Sequence, residues 1–157
     1  MKFNSEMEKM LRRTGRASLA GDLVDIARSG FVERDGCVFL ANLDGFQRNA
    51  SLKNFPDRTG YECFVNSIHI DDYVNTDFLA CALSYLSSVF ETWNESSLPG
   101  VLQGAISADK FDATVKFHLL RPGEAWLSDD LERYGEAVLA VESSDKEFLE
   151  AYGFRET

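Results

Sequence analysis

Eight apolar side chains, Phe78, Leu79, Ala82, Leu83, Leu86, Val89, Phe90 and Trp93, recur at the i, i+3, i+4, i+7 spacing of one helical face. Ser84, Ser87, Ser88 and Glu91 fall on the opposite side. A stripe of that width must be covered. From Asp77 to Asn94 the helix is about 27 Å long, enough to cross one face of a sheet, with Thr76 as the expected cap and Asp77 complementing the N-terminal dipole. The covering sheet follows directly. Val101 to Ser107 and Ala113 to Leu119 read as two arms around the polar connector Ala108 to Asp112. In the second arm Ala113, Val115, Phe117 and Leu119 alternate with Thr114, Lys116 and His118, one buried face and one wet face, so an antiparallel hairpin is predicted. Arg121-Pro-Gly-Glu124 then places proline and glycine where a type II turn wants a preset φ and a positive φ. Trp126 and Leu127 read as anchors beyond it.

The flanks supply smaller elements. Phe3, Met7, Met10 and Leu11 lie at helical spacing behind the capping box Ser5-x-x-Glu8, predicting a short helix to Arg13 that Thr14-Gly15 ends. Ser18 caps a second short helix whose face is Leu19, Leu23, Ile26 and Ala27 and which stops before Gly30. Gly36 to Asp44 reads as a strand, and so does Tyr61 to Ile70, apolar on both faces and broken by Asp71 to Thr76. Between them Gly45 to Gly60 has no clear period and carries Arg48, Lys53 and Arg58, a candidate contact loop. Ser128 to Tyr134 is expected to be a helix of one or two turns capped by Ser128, and Ala137 to Val141 a further strand. Ser144-x-x-Glu147 opens a terminal helix with Phe148, Leu149 and Tyr152 inward and Gly153 past its end. The resulting expectation is one α+β domain over residues 1–157. It is a mostly antiparallel sheet of about five strands backed by one long helix, with short helices at both termini.

A chain of 157 residues that is 45% apolar can bury a core without disulfides or a structural metal. The charged segment Met1 to Arg16 has no apolar h-region and no eighteen apolar residues run together, so a cytoplasmic protein that does not cross a membrane is expected. Cys37, Cys63 and Cys81 are odd in number and sit in apolar contexts, which fits reduced thiols filling core space. The net charge of −10 is unevenly spread: Thr59 to Asp109 contains no Lys or Arg against seven acids, and Pro122 to Thr157 has ten acids against three bases. Nucleic acid, which wants a basic footprint, is therefore not an expected partner. A cationic protein is, because opposed fields speed and orient association. Acidic surface that merely keeps the chain soluble is the competing explanation.

Residues that carry chemistry are sparse. The two histidines, His69 and His118, each fall within a strand, without a second His or a carboxylate at metal-ligand spacing nearby in sequence. His118 is expected on the wet face beside Lys116, and His69 as a hydrogen-bonded sheet residue. G-x-S-x-G, P-loop, G-x-G-x-x-G, H-E-x-x-H and EF-hand patterns are all missing. The expectation is a protein with no enzymatic activity, no cofactor and no metal site, unless a constellation assembles in space. Asp71-Asp72 and Asp129-Asp130 border helix starts, where the dipole favours acids anyway.

The segment FHLLRPGEAWLSDDLERYGEAVLAVES (Phe117 to Ser143), with the upstream FVNSIHIDDY and the long helix, resembles small immunity proteins of bacterial polymorphic-toxin systems. The contact-dependent growth-inhibition type is among them, and the likeness is to the tenth numbered immunity family over about the C-terminal two thirds of the chain. The resemblance implies a protein that binds and neutralises a cognate toxin domain. An acidic chain suits a basic toxin, its carboxylates taking the place of nucleic-acid phosphates. The alternative is an acidic cytosolic interaction or regulatory module without catalytic activity. On the charge pattern, the partner-binding residues are expected to be Asp71, Asp72, Glu124, Asp130 and Glu132.

Overall fold

In the computed structural model, which describes residues 1–45 and 49–153, the elements in chain order are β1 (Lys2–Phe3), α1 (Ser5–Arg13), α2 (Gly21–Ala27), β2 (Phe31–Arg34) and β3 (Cys37–Leu40). Next come α3 (Ala41–Asp44), α4 (Arg58–Val65), β4 (Ile68–His69) and α5 (Phe78–Glu95). The chain closes with β5 (Leu102–Ala108), β6 (Ala113–Leu119), β7 (Ala137–Glu142) and α6 (Lys146–Tyr152). Single 3-10 turns lie at Leu52–Asn54, Ile70–Asp72 and Leu131–Arg133. Among the described residues five strands form one antiparallel sheet in the order β1-β7-β5-β6-β4, and β2 and β3 form a separate hairpin. The fold is α+β, with helix α5 backing the five-stranded sheet.

The central hairpin forms with the expected arms, in register from Leu102 opposite Leu119 to Ala108 opposite Ala113. Its inner face gives Leu102, Ile106, Val115 and Phe117 to the core that α5 fills with Leu79, Leu83, Leu86 and Phe90. Gly104 is needed where α5 crosses the hairpin: a Cβ there would sit 2.5 Å from Leu86 Cδ2. The Arg121–Glu124 turn closes with Gly123 at φ +77°, and Glu124 N–H donates to the Arg121 carbonyl over 3.3 Å.

Several expected elements take another form. Tyr61 to Ile70 is mostly not a strand: Arg58–Val65 is helix α4, capped by the Asp57 carboxylate accepting from Gly60 N–H at 2.8 Å, and only Ile68–His69 is extended. Its residues are apolar on both sides because α4 lies between the β2–β3 hairpin and the sheet. Tyr61 and Val65 pack with Cys37 and Phe39, while Asn66 at its end reaches the carbonyls of Val38 and Phe117. The strand expected over Gly36 to Asp44 stops at Leu40, and Ala41–Asp44 turns into α3. Strand β2 is an addition, folded back by Asp35 and Gly36 at φ +58° and +75°, the positive-φ pair that a tight hairpin turn requires. In the Gly45 to Gly60 segment, residues 46–48, Arg48 included, lie outside the described residues.

The expected caps shift by one or two residues. Asn4 rather than Ser5 caps α1, Asp145 rather than Ser144 caps α6, and Asp130 rather than Ser128 caps a turn shorter than the expected helix. Ala20 precedes α2 with no side-chain cap in place of Ser18, and Asp77, left-handed at φ +56°, replaces Thr76 before α5. Asn4 wins because its amide does more than cap: Oδ1 accepts from Met7 and Val138, while Nδ2 donates to Leu131 and Glu136 carbonyls. His118 is 2% exposed, not on a wet face, because the sheet's outer surface is covered there by α4.

Candidate functional site

The five carboxylates expected to bind a partner do not form one patch. Asp130 accepts from Glu132 N–H at 3.1 Å, and Glu132 accepts from Ser5 N–H and Oγ at 2.6 and 2.9 Å, which ties the Leu131–Arg133 turn to the start of α1 beside edge strand β1. Glu124 accepts from Thr59 N–H at 3.2 Å and so helps to cap α4. Asp71 and Asp72 lie at the other end of the sheet, in the turn that follows edge strand β4. Asp71, Asp72, Asp130 and Glu132 are all exposed and Glu124 is half-buried, but Glu124, Asp130 and Glu132 already hold local structure together.

Around Asp71 the fold gathers groups that are far apart in sequence. Asp109 Oδ1 accepts from the N–H groups of Phe111 and Asp112 at 2.7 and 3.0 Å, which fixes the tip of the β5–β6 hairpin. Asp112 then reaches across the sheet edge: Oδ1 accepts from Asp71 N–H at 3.1 Å and Oδ2 lies 2.8 Å from His69 Nδ1. Ligand-type atoms of His69, Asp71 and Asp112 all lie within 4.8 Å of one another. Partial burial pulls the Asp112 carboxyl upward, but hydrogen bonds from His69 and from the Asp71 and Ala113 amides outweigh it and hold the group below its usual range. Desolvation, then the neighbouring Asp112, pushes Asp71 the other way. At the tip Phe111 is 69% exposed, with Lys110 Nζ 5.0 Å from its ring centre. Sequence spacing concealed this cluster because its third member comes from the tip of the β5–β6 hairpin. The one readable hint was His69-x-Asp71, two residues apart at a strand end.

A buried polar centre lies at the opposite end of β6. Glu62 is fully buried; Oε1 accepts from Arg121 Nη1 at 2.5 Å and from Leu119 N–H at 3.1 Å, and Oε2 accepts from Val38 N–H at 2.6 Å. Arg121 Nη2 donates to the Gly36 carbonyl at 3.0 Å. His118 Nδ1 lies 3.0 Å from the Leu119 carbonyl, and Nε2 is buried with no hydrogen-bond partner among the described residues. Burial lowers the His118 pKa, partly offset by that carbonyl. Cys37 is pushed up to about 11 by burial, and all three cysteines are free and buried. These groups clamp α4 and the β2–β3 hairpin onto the sheet.

A cleft of about 240 Å³ opens on the sheet's outer face between Thr114, Lys116, Trp126, Tyr134 and Glu136. Its cation is engaged, since Lys116 Nζ sits 4.8 Å over the Trp126 ring. Trp126, expected as an anchor, is 39% exposed and serves as the cleft's wall. Among the described residues no helix is long and apolar enough to cross a membrane.

No solved structure matches this chain. A protein of Pasteurella multocida (strain Pm70), described as uncharacterized protein PM0498, is 29% identical over 134 residues, covering 78% of this chain and 83% of its own length. The model of the family described as the uncharacterized protein PM0498 family matches residues 2–151. With that match spanning nearly the whole of the described fold, the chain belongs to the uncharacterized protein PM0498 family.

Proposed function

We propose that this protein is a non-catalytic binding protein of the cytoplasm that captures and neutralises a cationic protein partner. By the resemblance carried by Phe117 to Ser143, that partner is a bacterial toxin domain, and the chain acts as its immunity protein. The observation that carries the reading is the sheet end where β4 meets the hairpin tip. Asp71 and Asp72 adjoin Asp112 there, Asp109 fixes the hairpin tip that carries the exposed Phe111 with Lys110 on its ring, and Thr59 to Asp109 holds no Lys or Arg. An exposed aromatic beside an acid-rich sheet edge suits a cationic surface: the ring supplies contact area that holds the complex, and the charges steer its approach. Asp130 and Glu132, expected in the same surface, lie at the far edge of the sheet, and Glu124 is occupied at α4.

The test is binding kinetics at two salt concentrations against the toxin domain encoded beside this gene. Asp71→Lys and Asp72→Lys are expected to slow association and flatten its salt dependence, Phe111→Ala to speed dissociation, and Asp130→Lys to leave both rates unchanged. Binding that survives all three changes at the β4 end, yet is lost with Asp130→Lys or Glu132→Lys, moves the interface to the other edge. Absence of any complex with that domain, alongside a complex with an unrelated cationic protein, favours the regulatory-module alternative.

A further inference from the structure

We propose that His69, Asp71 and Asp112 form a binding site for one divalent transition-metal ion, Zn²⁺ being the expected occupant. The three groups come from edge strand β4, from the turn after it and from the β5–β6 connection just before β6, so the sheet pairing that sets His69 opposite Thr114 also builds the site. The inference goes beyond partner binding and does not depend on it, because it is read on the isolated chain.

Four observations meet here. The donor set is one imidazole nitrogen and two carboxylates, a mixture that suits zinc and its neighbours, whereas calcium and magnesium prefer oxygen alone. The donor atoms lie within 4.8 Å of one another, and zinc's bonds of about 2.0–2.1 Å place tetrahedral ligands about 3.3 Å apart, so small side-chain rotations close the set. Asp112 is positioned before any ion arrives, by the Asp109 carboxylate that gathers its N–H and by the Asp71 N–H it accepts. Finally, no Lys or Arg among the described residues lies within ion-pair distance of either carboxylate, and Lys110, the cation nearest in sequence to Asp112, rests on the Phe111 ring. Two adjoining carboxylates are thus left with only an imidazole as a possible cationic neighbour. His69 is 59% exposed along its side chain, so the ion has open access and water completes its coordination. Binding replaces the His69–Asp112 hydrogen bond: Nδ1 becomes the ligand, and the imidazole proton of the neutral ring resides on Nε2.

Metal-stripped full-length protein titrated with ZnCl2 at pH 7.5 by calorimetry should bind one equivalent. His69→Ala and Asp112→Asn should each weaken that binding tenfold or more, as loss of one of three protein ligands requires. His69 is exposed, so its variant should melt like wild type in EDTA. On wild-type protein, zinc should move the NMR signals of the His69 ring and of the Asp71 and Asp112 amides, with the buried His118 ring unchanged. Equal affinity in His69→Ala, no saturable binding below about millimolar zinc, or shifts that bypass His69 would each overturn the site.

Discussion

Glu62 illustrates how one side chain can be indispensable without touching a partner. Its carboxylate is fully buried and spends every contact on structure: Arg121, the Leu119 N–H and the Val38 N–H. Removing one member of such a pair strands a charge in a low-dielectric interior, which typically costs about 3–5 kcal/mol. Arg121→Met is therefore expected to lower stability in urea unfolding by about that amount. Glu62→Met combined with Arg121→Met should lose less than the two single changes together, since neither charge is then left alone. Additive losses would mean that the pair is not coupled. His118 adds a pH term of known sign. Its folded-state pKa is lowered, so as pH falls the unfolded chain takes up the proton first. Stability from this residue is complete above about pH 6.5, the unfolded-state value, and is lost as pH drops through it toward the folded-state value. Melting curves at pH 7.5 and 5 should show a loss for wild type that His118→Gln reduces; equal losses would assign the effect to other groups.

Among elements, α5 and the hairpin it crosses govern the core. Leu83 and Leu86 are fully buried on the helix, and truncating either to Ala should cost about 2–5 kcal/mol. Gly104→Ala drives a methyl into Leu86 and should cost about 1–3 kcal/mol, less in a Leu86→Ala background where the space is open. A double-mutant cycle in chemical denaturation checks both statements. These elements were legible in the sequence because each buries one face only, so periodicity reports it directly: 3.6 residues for Phe78 to Trp93, two for Ala113 to Leu119. Helix α4 was not legible. It is covered on two sides, and a short segment with apolar residues all round has no period to separate helix from central strand. The Phe31–Arg34 strand was missed although Asp35-Gly36 is a strong hairpin signal, because its own residues are largely exposed. Caps slipped by one or two residues where Asn or Asp competed with a nearby Ser. At Asn4 the deciding contact is long-range, with Val138. Of the candidate site, Asp71 and Asp72 were readable as base-free acids, while Asp112 and Phe111 needed the hairpin to be folded first.

Across the whole molecule, hydrophobic packing falls into a main core around α5 and a smaller cluster of Cys37, Phe39, Tyr61 and Val65 beneath the β2–β3 hairpin. The smaller cluster is held to the sheet by α4 and the Arg121–Glu124 turn, so it has fewer layers to lose and should open at lower denaturant. The cysteines report this separation, since Cys37 belongs to the small cluster and Cys81 to the main core. Pulsed alkylation through a urea series should label Cys37 before Cys81, with neither modified in native buffer, where burial raises the pKa of both thiols. Simultaneous labelling would show one cooperative unit instead. The division also separates tasks in space. The clamp lies at one end of β6, and the acid-rich edge with the metal-ligand triad lies at the other.

The Arg121–Glu124 turn holds α4 at two points, Arg121 through Glu62 in its middle and Glu124 through the Thr59 amide in its first turn. A motif of that kind ties distant parts of the chain into one architecture. A descendant that exchanges Arg121 for a neutral residue keeps a naked carboxylate in its interior until position 62 changes as well, so the two sites are expected to change together although they are 59 positions apart. The same four residues can then persist across relatives while the acid-rich edge at the other end of the sheet is left free to diverge.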